Sequence, residues 1–212
     1  NKIYFNIFAN LSTVYNEVLD LGNREYYPHD MHVNNMFQPL RSVVGQPWYS
    51  YYLLKTDGIF QSTEEIENYL HTDKETGAKK IIQPNARPGD FKFVDTNNDG
   101  IINDKDRQYM GSYLPKITYG FGTSLSGYGF DFSMFFQGVS GIKIYNGLKQ
   151  MSLSGRGGNT GYNMLSDILK SWNYDKTSGY PRLEISQPSN QKVQDNLKVG
   201  SDFFLEDGSY LR

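Results

Sequence analysis

Twelve consecutive residues carry the clearest chemistry in the chain: Asp95-Thr96-Asn97-Asn98-Asp99-Gly100-Ile101-Ile102-Asn103-Asp104-Lys105-Asp106. Oxygen-bearing side chains fall at positions 1, 3, 5, 9 and 12 of this stretch, a glycine at position 6 permits a sharp turn, and the residue at position 7 offers its backbone carbonyl. A hard cation takes six to eight oxygen ligands. Asp95, Asn97, Asp99, the Ile101 carbonyl and Asp106 supply most of them, with Asn103 acting directly or through water. The spacing predicts a calcium loop with Ca2+ as a structural cofactor. Position 12 is Asp rather than the Glu of a sensor EF-hand, and the preceding residues, Phe91 to Val94, read as a short strand rather than a helix, so the ion is expected to staple a loop and not to drive a switch. The competing reading is a solvated Asn/Asp/Gly turn.

Other candidates for chemistry are weaker. His29, Asp30 and His32 match no established metal spacing and read as exposed loop residues. The glycines from Gly155 to Gly161 are not followed by Lys-Ser/Thr and read as a flexible loop rather than a phosphate cradle. No nucleophile and base stand at a recognisable spacing, so no catalytic residue is nominated and the chain is read as non-enzymatic.

The elements around the loop are read from periodicity and composition. The chain has 212 residues, 15% of them aromatic, with 17 Tyr, 13 Phe, 21 Gly, no Cys and a formal charge of −2. The absence of a basic excess argues against a nucleic-acid partner, and the absence of cysteine excludes disulfides and thiolate metal sites. No apolar run is long enough for a membrane helix. The chain begins with Asn and runs at once into strand-like sequence, without signal peptide or initiator Met, which suggests a piece of a longer protein. Ile3, Phe5, Ile7, Ala9 and Leu11 alternate with Tyr4, Asn6, Phe8, Asn10 and Ser12. In the same way Ile117, Tyr119, Phe121 and Leu125 alternate with Thr118, Gly120, Gly122, Ser124 and Ser126, and Phe130, Phe132, Met134 and Phe136 with Asp131, Ser133, Phe135 and Gln137. Gly127-Tyr128-Gly129 joins the last two into a hairpin. Ten residues of apolar and small-polar alternation suit a tilted membrane strand, and equally half of a soluble β-sandwich.

The remaining segments are expected to be loops with short inserts. Trp48 to Phe60 reads as aromatic β structure broken at Asp57-Gly58. Ser62-Thr63-Glu64-Glu65 is a capping box opening a helix that ends near Leu70. Thr72 to Pro88 and Gly138 to Gly161 read as loops, and Met164, Leu165, Ile168, Leu169 and Trp172 as one face of a helix. The final residues, from Asp202, begin another strand.

Pro88-Gly89-Asp90 with Phe91-Lys92-Phe93, the calcium-type loop, Pro115-Lys116-Ile117-Thr118-Tyr119-Gly120-Phe121 and Phe135-Phe136-Gln137-Gly138, in this order, resemble SusC/RagA-type TonB-dependent outer-membrane transporters. Tyr15 to Gly22, Tyr52 to Gln61, Tyr180-Pro181-Arg182-Leu183 and Gly208-Ser209-Tyr210-Leu211-Arg212 are also similar to that family. The resemblance spans the chain, without the plug domain, the TonB-contacting segment or most of the barrel. It implies an all-β fold: residues 1–212 as part of an antiparallel transmembrane β-barrel domain of about 22 strands. The loops after Leu11 and after Gly138, and with them the calcium loop, then face outward, and Gly127 to Gly129 face the periplasm. It further implies a bacterial outer-membrane location and nutrient import, of glycan or oligopeptide, with a SusD-like surface lipoprotein, the TonB complex and outer-membrane lipid as partners. The alternative from another class is a soluble extracellular calcium-stabilised carbohydrate-binding β-module, in which Trp48, Tyr49, Tyr51 and Trp172 stack on sugar rings.

Overall fold

The computed structural model describes residues 2–29, 38–153, 164–175, 178–183 and 199–212. In chain order its strands are β1 (Tyr4–Thr13), β2 (Tyr27–Pro28), β3 (Leu40–Ser42), β4 (Ser50–Leu53), β5 (Thr56–Ile59), β6 (Leu70–Thr72), β7 (Lys79–Ile81), β8 (Phe91–Phe93), β9 (Gln108–Ser112), β10 (Ile117–Gly127), β11 (Phe130–Ser140), β12 (Lys143–Tyr145), β13 (Leu205–Asp207) and β14 (Tyr210–Leu211). Two short helices, α1 (Thr63–Glu67) and α2 (Gly147–Leu153), interrupt them. All the strand pairings are antiparallel, and there is no closed barrel among the described residues.

Two bodies of structure follow from two kinds of sequence. The long alternating segments make one four-stranded sheet in the order β1-β10-β11-β14. Its register puts Phe5, Leu125 and Phe132 side by side, and likewise Ile7, Thr123 and Met134, and Ala9, Phe121 and Phe136. The period of two read from the sequence therefore becomes a continuous apolar face, and Asn6, Asn10, Ser12, Thr118, Ser124 and Ser133 share the other. Among the described residues nothing covers the apolar face: Ile7 is 67% exposed, Leu11 71% and Phe130 82%. On the polar face Phe8 and Phe135 stack with centroids 5.9 Å apart. Gly120 and Gly122 make room for them, since a Cβ on Gly122 would stand 2.5 Å from the Phe8 ring. The sharp Gly127-Tyr128-Gly129 turn closes one end of the hairpin, with Tyr128 and Gly129 both at positive φ, the geometry such two-residue turns require.

The second body is built from two excursions that leave the opposite end of this sheet, one between β1 and β10 and one between β11 and β14. They fold together. Leu54, Ile59, Phe91, Phe93 and Trp172 form one buried cluster, to which Phe203 and Val199 add from the second excursion. Leu40, Tyr51 and Leu53 form another with Tyr145 and Leu205. The Leu54–Ser201 bridge and the bond from the Thr56 hydroxyl to Asp202 (2.7 Å) add main-chain and polar ties. Each fully buried Phe here stabilises by roughly 1.5–3 kcal/mol, so the lobe's stability is concentrated at the seam between the excursions.

Several local expectations change. Asp57-Gly58 lies inside β5, where Gly58 at φ +83 forms an irregularity in the pairing with β8, and the break comes instead at Leu54-Lys55. Ser62 does cap α1 by accepting from the Glu65 N–H (3.2 Å), but Glu65 reaches back to the Gln61 N–H (2.6 Å) and the helix stops at Glu67. The polar stretch after Thr72 closes a hairpin, β6 with β7, because Asp73 accepts from the Glu75 and Thr76 N–H groups and nucleates its turn. The segment from Gly138 contains the end of β11, then β12 and α2, before residues that lie outside those described. Residues Ser166–Lys170 form a 3-10 helix, whose threefold period leaves Leu169 78% exposed while Trp172, beyond its end, is buried. The final strand is there, as β14, continued by reciprocal Gln137–Arg212 main-chain bonds.

Candidate functional site

The twelve-residue loop hangs between β8 and β9, and its acidic residues are organised by backbone N–H groups. The Asp95 carboxylate accepts from the N–H groups of Asp99 (3.1 Å) and Gly100 (2.7 Å). Asn97 Oδ1 accepts from the Asp99 N–H (3.0 Å), and Asp99 Oδ1 from that of Ile101 (2.9 Å). Three side chains at positions 1, 3 and 5 are thereby drawn onto one turn. Gly100 sits at φ +77 and Asn98 at +63, backbone geometry that the Asn-Asp-Gly sequence makes accessible. The Asn97 amide, which donates to Asp99 Oδ2 at 2.9 Å, holds the Asp99 carboxyl below the usual carboxylate range, with the Ile101 N–H assisting.

Position 12 does something different. Asp106 is fully buried, and its carboxylate clasps both ends of the loop: Oδ1 accepts from the Thr96 N–H (2.9 Å) and Oδ2 from the Asn103 N–H (2.8 Å). Asn103 caps the turn Asp104–Asp106, accepting from the Lys105 N–H (2.8 Å), and donates its amide to the Ile101 carbonyl (3.1 Å). Among the described residues no group of three or more His, Cys, Asp or Glu side chains is arranged to hold a metal. The loop's donor set is all oxygen and mixes carboxylate, amide and carbonyl, the chemistry of a hard cation.

The surroundings of the loop add a residue that the sequence did not suggest. His71, on β6, lies against the loop: its Nδ1 is 3.8 Å from Asp95 Oδ2, and a Cβ on Gly100 would stand 2.9 Å from its ring. Nothing in the local pattern around His71 signals this, because the contact depends on the β6–β7 hairpin folding back. The strand before the loop, β8, pairs with β5 and not with the start of β10. The loop is therefore tied to the lobe's core rather than to the four-stranded sheet.

The other candidates separate in the same way. His29 is buried, not exposed: its Nε2 is 2.7 Å from Ser42 Oγ and its ring stacks on Tyr49 at 3.6 Å. Burial pushes its pKa below the ordinary histidine value. Asp30, His32 and Gly155 to Gly161 lie outside the described residues. Of the four aromatics nominated for sugar stacking, Tyr51 and Trp172 are 5% and 7% exposed, Tyr49 is partly covered, and Trp48 alone is open. Trp172 donates its indole N–H to Gln61 (2.8 Å) and lies over Gly89, where φ is +90 and a Cβ would stand 2.5 Å from the ring. Next to it the fully buried Asp90 pairs with Arg182 Nε at 2.6 Å and accepts from the Arg87 N–H at 2.8 Å.

Comparison with known proteins places this architecture. No protein-family model matches the chain. The TonB-dependent receptor P26 of Formosa agariphila is 29% identical over 204 residues, which are 95% of this chain and 18% of that receptor. The TonB-dependent receptor P3 of the same organism is 27% identical over 131 residues, 62% of this chain and 12% of that receptor. Among solved structures, the RagAB peptide transporter superposes with a TM-score of 0.66 at 19% identity, over 99% of this chain and 20% of that one. The RagAB peptide importer in its closed-closed state gives 0.62 at 21% identity, again over 99% and 20%.

Together these likenesses support a SusC/RagA-type transporter segment. The chain spans about a fifth of the length of the proteins it matches. Its all-β antiparallel architecture matches part of the RagA barrel in fold. The relatives are named as receptors and transporters, not as enzymes.

Proposed function

We propose that residues 1–212 are part of the β-barrel domain of an outer-membrane receptor that imports nutrients, either glycan or oligopeptide. A SusD-like lipoprotein would sit over the excursions, and the TonB complex would act through parts of the protein outside this sequence. The observation that carries the reading is the sheet itself, with eleven-residue strands, one bare apolar face, a tight turn at one end and both long excursions at the other. A bare face of that kind needs lipid. By barrel parity Gly127 to Gly129 face the periplasm and the lobe, with the calcium-type loop, faces outward. The names of the similar proteins support import, and RagAB's name favours peptide. The test is uptake: deleting the gene for the full-length receptor should abolish growth on the nutrient it serves, and a protonophore should reproduce the defect. Unimpaired uptake of every peptide and glycan fraction in the deletion strain would refute the reading.

Within that function the loop at Asp95–Asp106 holds Ca2+ as a structural staple. Asp95, Asn97, Asp99, the Ile101 carbonyl, Asn103 and Asp106 would hold it, and the ion would supply charge that offsets the repulsion between the Asp95 and Asp99 carboxylates. Asp106 also closes the loop through backbone N–H groups, so the fold of the loop does not depend on the ion alone. Ca2+ added to the chelated full-length receptor should slow amide exchange at Asp99, Gly100 and Ile101, and Asp99→Ala should eliminate the response. Exchange unaffected by Ca2+ in the wild type, or an equal response in Asp99→Ala, would refute the assignment.

A further inference from the structure

The apolar face of the sheet β1-β10-β11-β14 is not evenly ridged. Around Thr123 it carries a groove of about 230 Å³, flanked by Ile7 and Met134, with Phe121 and Phe136 toward the lobe and Phe5 toward the tight turn. The register explains it. Across the three strands Thr123 stands in one row between two longer apolar residues, and it is half-buried where both of them are exposed. The next row toward the turn, Phe5-Leu125-Phe132, has no small member and stands as a ridge. On the lobe side the Phe121 and Phe136 rings stack with centroids 5.1 Å apart and make a stiff wall.

The groove offers a ligand no hydrogen bond. The Thr123 hydroxyl donates to the Asn6 carbonyl (3.0 Å), which takes the only polar side-chain atom of the lining out of use. The Gly122 main chain in the floor is paired with Phe8 on one side and Phe135 on the other. A sugar, a peptide or a lipid headgroup would give up its hydrogen bonds with water here and gain none, whereas a hydrocarbon chain gives up nothing. Size points the same way. The volume is below the roughly 300–1,000 Å³ of sites that enclose a whole small ligand, so the groove holds a length of chain.

Its depth is set by the strands. Thr123 and Met134 are each one residue from the middle of an eleven-residue strand, both on the side of the Gly127-to-Gly129 turn. A residue adds about 2.6 Å of height at a rise of about 3.4 Å and a tilt of about 40°. The groove is therefore centred within about 3 Å of the middle of the apolar band. From this we infer that it is a binding site for the methyl-end half of one phospholipid acyl chain, which comes from the leaflet on the turn side and lies over Thr123 between the phenylalanine wall and Phe5. The flexible Met134 side chain closes along it. A chain in the groove makes the dispersion contacts that an unfilled groove forfeits, while the ridge beside it meets chains only at its tips. The groove is continuous with the face that lipid covers in a membrane wall, so the site rests on the import reading and adds a bound lipid to it.

Photolabelling of the full-length receptor in phosphatidylcholine vesicles tests it, with a diazirine near the methyl end of one acyl chain and the labelled residues mapped by mass spectrometry. Met134 should take about fivefold more label than the equally open Phe132, because a held chain stays against one and not the other. Thr123→Leu fills the groove and should bring Met134 down to the level of Phe132, whereas Thr123→Val keeps the volume and should not. The heat-modifiable gel shift reports that each variant is folded, and the wild type alone supplies a result where one is not. Equal label at Met134 and Phe132, or unchanged label in folded Thr123→Leu, would overturn the site. Met134 cross-linked to a second receptor copy in place of lipid would overturn it too. Label missing from the whole face would remove the membrane wall along with the site, an outcome distinct from label spread evenly over it, which removes the site alone.

Discussion

If the sheet β1-β10-β11-β14 is a membrane wall, placing one charge on neighbouring residues of β11 should have opposite consequences. Met134 and Ser133 are adjacent in sequence but lie on opposite faces, Met134 beside Ile7 and Thr123, Ser133 beside Ser124. Eleven residues at about 3.4 Å each, tilted by about 40°, give a height of about 28 Å, close to the apolar band of such barrels. Met134 is one residue from the middle of β11, so Met134→Arg puts a guanidinium near the bilayer midplane, at a cost of about 2–4 kcal/mol. That is a loss of roughly 30- to 1000-fold in the folding equilibrium. Ser133→Arg points the same group into the lumen and should cost well under 1 kcal/mol. The assay is urea unfolding of the full-length receptor in lipid vesicles, followed by the heat-modifiable gel shift of folded barrels. Equal effects of the two substitutions would refute the face assignment. A Met134→Arg protein that turned soluble and compact without detergent would favour the binding-module alternative.

Two further results are expected in the lobe. Asp90→Ala leaves the largely buried Arg182 guanidinium without its carboxylate, and breaking a buried pair of this kind costs about 3 kcal/mol. Amide exchange at Phe60, Gly89 and Arg182, whose N–H groups bond to the Asp90, Phe60 and Gly89 carbonyls, should accelerate about 100-fold while that of β10 and β11 stays put. Acceleration spread evenly over both bodies would show that the seam is not a separate unit. His29 gives a pH dependence: burial lowers its folded-state pKa, so its contribution is complete above the unfolded value of about 6.5 and is lost as pH falls from there through the folded value. Protection of the His29 N–H, which bonds to the Leu40 carbonyl at 3.2 Å, should fall between pH 7.5 and 5.5 after correction for intrinsic exchange. His29→Gln should be flat over that interval.

What the sequence revealed follows the range over which its signals act. The faces of β1, β10 and β11 were legible because alternation is a local consequence of the pleat, and every cross-strand neighbour in the register respects it. The order of the calcium-type loop was legible for the same reason, since its Asx turns connect residues two to five apart. The misread elements depend on distant partners. Trp172 looked like part of a helical face because its neighbours are apolar, yet its position is set by Gly89 and Gln61, far away in sequence. His29 looked like an exposed loop residue because a polar segment surrounds it, and it is buried by Tyr49 and Ser42. The contact of His71 with the loop carries no local signature at all.

The motifs that made the family resemblance visible bear on where its function can and cannot be read. Pro88-Gly89-Asp90 and Tyr180-Pro181-Arg182 come from different excursions, and the structure brings them together as Gly89 under Trp172 and Asp90 against Arg182. Phe91-Lys92-Phe93 supplies the core beside them, and Tyr210-Leu211-Arg212 pairs with β11 along Gln137-Gly138. Gly138 in turn is hemmed in by the Tyr119 ring and the Tyr210 carbonyl. Each of these motif residues therefore braces one excursion to the other or one strand to the next. Their removal should cost stability without altering which ligand is preferred. Arg182→Ala should therefore loosen the lobe, read as faster amide exchange at Phe60 and Gly89, while exchange in β10 and β11 is unchanged. Equal acceleration in the lobe and in the sheet would show that these motifs do not act as a local brace.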